Sequence, residues 1–270
     1  MKRLLILILL LNVLQGKAKA QNNYATEKDI PYYPASVKQD AYQQSQCRLD
    51  VYYPKEQKNF TTIIWFHGGG LKAGKKEIPA ALMNKGYAII GVGYRFSPKV
   101  KAPQYIEDAA AAVAWAFEHI AQYGGNRSKI VLSGHSAGGY LDLMLTLDKK
   151  YLQRYSIDAD SILGIVPFSP QCITHFTVRE ERGIPPLQPV IDSLAPLYHV
   201  RKIIPPVLLI TGDREKELYG RYEENAYLLR MLKLTGNTKA RLLELQGYDH
   251  GGMAEPAFPL LLAEVKMLTE

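Results

Sequence analysis

The chain has 270 residues, 47% of them hydrophobic, and a formal charge of +7. That length and composition suit one large domain with a substantial core. Lys and Arg form no stripe with interleaved aromatics, which argues against nucleic-acid binding. Cys47 and Cys172 are the only cysteines, and neither they nor the six histidines have metal-site spacing, so neither a metal nor another cofactor is expected.

In chain order, residues 1–20 read as a secretory signal peptide. Lys2-Arg3 precedes the apolar run Leu4–Leu14, and Ala18-Lys19-Ala20 fits a cleavage site before Gln21. The run is short for a span of about 20 residues, so no stable membrane anchor is expected after cleavage, and the protein is expected to be exported to a periplasm or outside the cell. Loss of Lys2, Arg3, Lys17 and Lys19 takes the formal charge from +7 to +3, so part of the basicity belongs to that segment. Residues 21–270 remain as a single domain.

Arg48–Tyr53 reads as an edge strand stopped by Pro54, and Thr61–Phe66 as a strand covered on both faces. Lys76–Lys85 reads as a helix ended by Gly86, and Tyr87–Val92 as the next strand. A long alanine-rich helix runs from Tyr105 to Tyr123 and stops at Gly124-Gly125. Lys129–Leu132 is a short buried strand, followed by a helix over Ala137–Leu147. Strands at Ile162–Phe168, Pro206–Ile210 and Ala240–Leu245 alternate with helices at Glu223–Leu234 and Ala257–Leu268. This alternation predicts an α/β fold, a mostly parallel sheet with helices on both faces. Ligands of such sheets sit outside the carboxyl ends of the strands. Residues 169–206, rich in proline, are too long for a plain connection and read as an excursion that shapes a pocket. Cys47 and Cys172 could pair in an oxidising compartment, but free thiols are expected.

Four segments carry chemistry, and all follow strands. Gly134-His135-Ser136-Ala137-Gly138 lies between a strand and a helix, where glycines at 134 and 138 relieve the turn and expose Ser136. His67-Gly68-Gly69-Gly70 offers backbone donors for a developing oxyanion, assigned to Gly69 and Gly70 with a third from Ala137. His250, in Gly247-Tyr248-Asp249-His250-Gly251, is the candidate base for the serine. The carboxylate that would orient it comes from Thr211–Glu217, where Asp213, Glu215 and Glu217 compete. Asp249, adjacent to His250 in the chain, is poorly placed to reach its ring.

These residues resemble an α/β-hydrolase of the esterase/lipase type, similar to the hormone-sensitive-lipase-like enzymes and to bacterial carbohydrate-esterase-like (acetyl or feruloyl esterase) proteins. The resemblance runs from Leu49-Asp50-Val51-Tyr52 to the last helix and takes in Gly93–Pro98 and Glu107-Asp108. It implies the α/β-hydrolase fold, Ser136 as nucleophile, His250 as base and an acid between them. That family's acid spacing falls on Glu215, with Asp213 the alternative that keeps the residue type. Asp108 is then expected to be a structural ion-pair partner of Arg95, and His135 to pack beside the serine. The implied activity is hydrolysis of short-chain or aryl esters, with a small-molecule or carbohydrate ester as substrate. A small-amide hydrolase and a non-catalytic binding protein are the alternatives.

Overall fold

The computed structural model describes residues 23–270, so the targeting segment expected at 1–20 lies outside the described residues. Eight strands are seen: β1 (Tyr24–Pro31), β2 (Arg48–Pro54), β3 (Phe60–Phe66), β4 (Ala88–Val92), β5 (Gly125–His135), β6 (Gly164–Phe168), β7 (Val207–Gly212) and β8 (Ala240–Leu245). The helices are α1 (Ala41–Gln46), α2 (Gln104–Tyr123), α3 (Ala137–Leu147), α4 (Lys150–Gln153), α5 (Phe176–Glu181), α6 (Arg221–Leu234) and α7 (Ala254–Thr269).

The strands form one sheet in the order β1-β2-β4-β3-β5-β6-β7-β8. β1 and β2 run antiparallel to their neighbours, and the pairs from β4 to β8 are parallel. Every residue of β3, β4, β6 and β7 is buried, as continuous apolar strands covered on both faces should be. Alternation along β3 divides the core. Ile64 and Phe66 join the apolar cluster under α2, α3 and α6, while Ile63 and Trp65 join the one under α7. In the latter, Trp65, Phe168 and Phe258 pack with ring centroids 5.3–5.5 Å apart.

Register brings the site together. Phe66 lies opposite Gly134, His135 opposite Phe168, Phe168 opposite Ile210, and Gly212 opposite Leu245. The loops carrying the candidate residues therefore leave one edge of the sheet at nearly one level.

The helix expected over Lys76–Lys85 does not form; only Ala80–Leu82 makes a 3₁₀ turn. Pro79 removes a backbone donor and sits at ψ 127°, outside the helical region, and it disfavours the helical region for Ile78. The irregular stretch before it lies against β4, where a side chain at Gly91 would meet the backbone of Glu77. β1 and α1 arise from the 21–47 arm, whose irregular pattern predicts no element. Elsewhere the expected strands and helices are present with shifted ends: β5 starts at Gly125 and α7 at Ala254. Among the described residues no helix is long and apolar enough to cross a membrane. Cys47 and Cys172 are buried free thiols.

Candidate active site

Ser136 sits at the turn from β5 into α3 with φ 57° and ψ −110°, a conformation costly for any residue with a side chain. Close approach to β3 enforces the turn. A Cβ on Gly134 would come within 2.6 Å of the Phe66 carbonyl oxygen, and one on Gly138 would overlap that same atom. The Ser136 N–H donates to Phe168 O at 2.8 Å, which ties the turn to β6. Ser136 stands at the N-terminus of α3, so the positive end of that helix faces any charge formed beside it.

His250 reaches this serine from the loop after β8. Its Nε2 lies 2.9 Å from Ser136 Oγ, and its Nδ1 lies 2.8 Å from Glu217 Oε2. Asp249 points elsewhere and accepts the N–H of Gly252 at 2.7 Å, closing the turn before α7. His135 packs beside the serine as expected and also braces the loop, with its Nε2 2.8 Å from His250 O. Burial, reinforced by the neighbouring His250, lowers the His135 pKa to about 4.

The carboxylate at His250 is therefore Glu217, which corrects the reading of Glu215 and of its alternative Asp213. After Gly212 the chain makes one helical turn, in which the N–H groups of Lys216 and Glu217 both reach Asp213 O. That turn carries position 217 back over the strand end, and the long glutamate side chain spans the remaining gap. Glu215 falls on the outside of the turn and is exposed. Asp213 staples two loops: its carboxylate accepts from Gly247 N–H at 2.7 Å and Glu215 N–H at 3.0 Å. The Glu217 side chain is only 1% exposed. Burial alone would raise its pKa, but bonds from His250 and Ser169, the His250 charge and the Gly212 N–H outweigh it and hold the pKa at about 2.

The His67–Gly70 loop crosses directly over the serine. A Cβ on Gly68 would stand 3.6 Å from Ser136 Cβ and 3.1 Å from His135 Nδ1. Two bonds, from Lys72 N–H and Ala73 N–H to Gly69 O, close the loop, and Thr177 Oγ1 holds Gly70 O at 2.5 Å. The N–H groups of Gly69, Gly70 and Ala137 have no acceptor among the described residues, as donors kept open for an oxyanion would.

The 169–206 excursion lies beside this site. Helix α5 packs on the glycine loop through Phe176, whose ring leaves no room for a side chain at Gly70, and through an ion pair between Lys72 and Glu180. Tyr219 meets Phe176 edge-on at 6.3 Å. Beyond them opens a cavity of ≈ 290 Å³ lined by Ile173, Pro186, Leu187, Pro189 and Tyr219, with Arg179 and Glu224 also in its wall. Asp108 pairs with Arg95 through two side-chain bonds of 2.7 and 2.8 Å, the structural role expected of it.

Sequence reading missed Ser169, whose hydroxyl touches both Glu217 and His250. Its only trace is its position, immediately after a buried strand.

Several known proteins resemble this chain. The family model BD-FAE matches residues 49–165. Esterase LipC of Mycobacterium tuberculosis is 26% identical over 228 residues, 75% of this chain; the match takes in 56% of LipC, so the chain spans about half the length of that relative. A truncated carbohydrate esterase from gut microbiota superposes with a TM-score of 0.75 at 20% identity, covering 92% of this chain and 98% of that one. Esterase 2 of Thermogutta terrifontis, solved phosphoramylated by tabun, superposes with a TM-score of 0.68 at 21% identity over 91% of this chain and 94% of its own. With its sheet order, its strained serine turn and these matches, the chain has the α/β-hydrolase fold and is similar in sequence to esterases and lipases.

Proposed function

We propose that this protein is an exported serine esterase that hydrolyses short-chain or aryl carboxylic esters, including esters carried on plant polysaccharide. The observation that carries the reading is the continuous contact from Ser136 Oγ through His250 to Glu217. Ser136 Oγ attacks the ester carbonyl carbon while His250 Nε2 takes its proton. The carbonyl oxygen becomes an oxyanion beside the N–H groups of Gly69, Gly70 and Ala137. Collapse of this intermediate expels the alcohol, which receives its proton from Nε2, and leaves an acyl group on Ser136. Water, deprotonated by His250, attacks the acyl carbon; the bond from that carbon to Ser136 Oγ then breaks, the carboxylic acid leaves, and the proton on Nε2 returns to Oγ. Glu217 stays ionised and stabilises the imidazolium.

Esterase names among the relatives support the reaction class. The carbohydrate part rests on the export segment read at residues 1–20 and on the fold shared with a gut carbohydrate esterase.

Hydrolysis of p-nitrophenyl acetate by the mature protein and by folded Ser136→Ala tests the core reading: turnover is expected in the first and only background in the second. Equal rates would sink it. Acetylated and feruloylated xylo-oligosaccharides, compared with the free alkyl esters, test the substrate class; no preference for the sugar esters would remove that part. N-terminal sequencing of exported protein is expected to begin at Gln21, and an intact N-terminus would refute cleavage there.

A further inference from the structure

We propose that Ser169 is a positioning residue for the proposed esterase reaction, acting through both Glu217 and His250. It follows the last residue of β6 and is fully buried. Its φ is 46°, in the left-handed region where glycine is at ease and a side chain is strained. Its backbone is fixed from two sides. The N–H donates to Ile210 O at 2.6 Å, and the carbonyl accepts from Arg221 Nη1 at 2.5 Å. A residue held this way at a cost has a reason to keep its side chain.

That side chain sits between the two partners of the relay. Ser169 Oγ lies 2.7 Å from Glu217 Oε1 and 3.0 Å from His250 Nδ1. A hydroxyl has one proton to give, and an ionised carboxylate can only accept, so that proton goes to Glu217. The free lone pairs of Oγ can then meet Nδ1 favourably only if Nδ1 carries its own proton. This selects the imidazole tautomer that leaves Nε2 bare toward Ser136, the form a general base needs. The hydroxyl also completes the set of donors around the carboxylate. Oε1 accepts from Ser169 and Gly212 N–H, and Oε2 from His250 and Leu218 N–H. Four donors keep Glu217 ionised and stop it from rotating away from the imidazole.

The proposal rests on the esterase reading, and one experiment separates the two. The wild type, Ser136→Ala, Ser169→Gly and Ser169→Ala are assayed on p-nitrophenyl acetate, labelled with a fluorophosphonate, and melted. Glycine relieves the positive φ and alanine does not, yet both lack the hydroxyl. Both Ser169 variants are expected to lose kcat by about tenfold or more with KM within about twofold, because a misaligned base costs turnover rather than binding. Labelling of Ser136 should slow in parallel, while Ser169→Gly melts no lower than Ser169→Ala. A Ser169→Gly enzyme with wild-type kcat, or a loss confined to KM, would overturn the role of the hydroxyl alone. Equal rates for wild type and Ser136→Ala would overturn both readings.

Discussion

The Glu217 carboxylate meets His250 Nδ1 at 2.8 Å, and the two residues arrive from loops that follow the adjacent parallel strands β7 and β8. The pairing of Gly212 with Leu245 at the strand ends places both loops on the same edge. The contact therefore depends on sheet order, and nothing local in either loop announces it.

Removing the charge at position 217 should cost far more than removing it at position 215. Glu217→Gln keeps the shape but can no longer stabilise the imidazolium or hold its tautomer, and kcat is expected to fall by about 10³-fold or more. Glu215→Gln, at an exposed side chain, is expected to stay within about twofold of wild type. Steady-state kinetics on both variants decide the matter, and the opposite ranking would restore Glu215 as the acid.

Glu217 should also leave a mark on acid stability. Its folded pKa of about 2 lies below the unfolded value of about 4.3, so the unfolded chain binds the proton first as pH falls. The stabilisation is fully present above about pH 5 and fades as pH drops toward 2, for a total on the order of 3 kcal/mol. Chemical denaturation at several pH values should find the advantage of wild type over Glu217→Gln shrinking across that window. A pH-independent difference would contradict the charge-based account.

His135 predicts a second window, higher in pH. Its folded pKa of about 4 lies below the unfolded value of about 6.5, so the unfolded state protonates first on acidification. Stability due to this group is intact above about pH 6.5 and declines until about pH 4, by about 3 kcal/mol. His135→Gln should flatten the stability profile between pH 7 and 4. An unchanged slope would mean that other groups dominate there.

The turn that presents Ser136 should tolerate no side chain at Gly138. A Cβ there would overlap the carbonyl oxygen of Phe66 at the end of the central strand, and backbone on both sides leaves nothing flexible to move. Gly138→Ala is expected to cost about 3 kcal/mol or more, or to prevent soluble expression. Thermal melting reads this directly, and a variant as stable as wild type would show that the two loops can separate.

The Arg95–Asp108 pair should behave as structure and not as chemistry. Asp108 is fully buried and also accepts from Tyr33 OH at 2.7 Å and from Arg95 N–H at 3.1 Å. Asp108→Ala strands a guanidinium against the core and is expected to cost about 3–5 kcal/mol. Any Asp108→Ala protein that folds should retain kcat within about threefold at a temperature below its melting point; a large loss of kcat in folded protein would count against the purely structural role.

Local chemistry was sufficient for the central part of this protein. Continuous apolar runs marked β3, β4, β6 and β7, because a strand buried on both faces must be apolar at every position. Gly134 and Gly138 marked the serine turn because only glycine fits against the Phe66 carbonyl. The three glycines after His67 and the position of His250 after the last strand could be read the same way. Distance in the chain hid the rest. The 21–47 arm becomes β1 only by pairing with β2, an edge contact that its own pattern does not require. Lys76–Lys85 has helical composition, yet Pro79 and packing against Gly91 keep it from forming an α-helix. Among Asp213, Glu215 and Glu217 the residue types are equivalent, and one turn of backbone decides which carboxylate faces the imidazole. Ser169 lay beyond any local reading because its role is set by Ile210 and Arg221, which pin its backbone, and by Glu217 and His250, which meet its hydroxyl. Residue type and spacing determine which groups can do chemistry; only the packed sheet edge determines which of them touch.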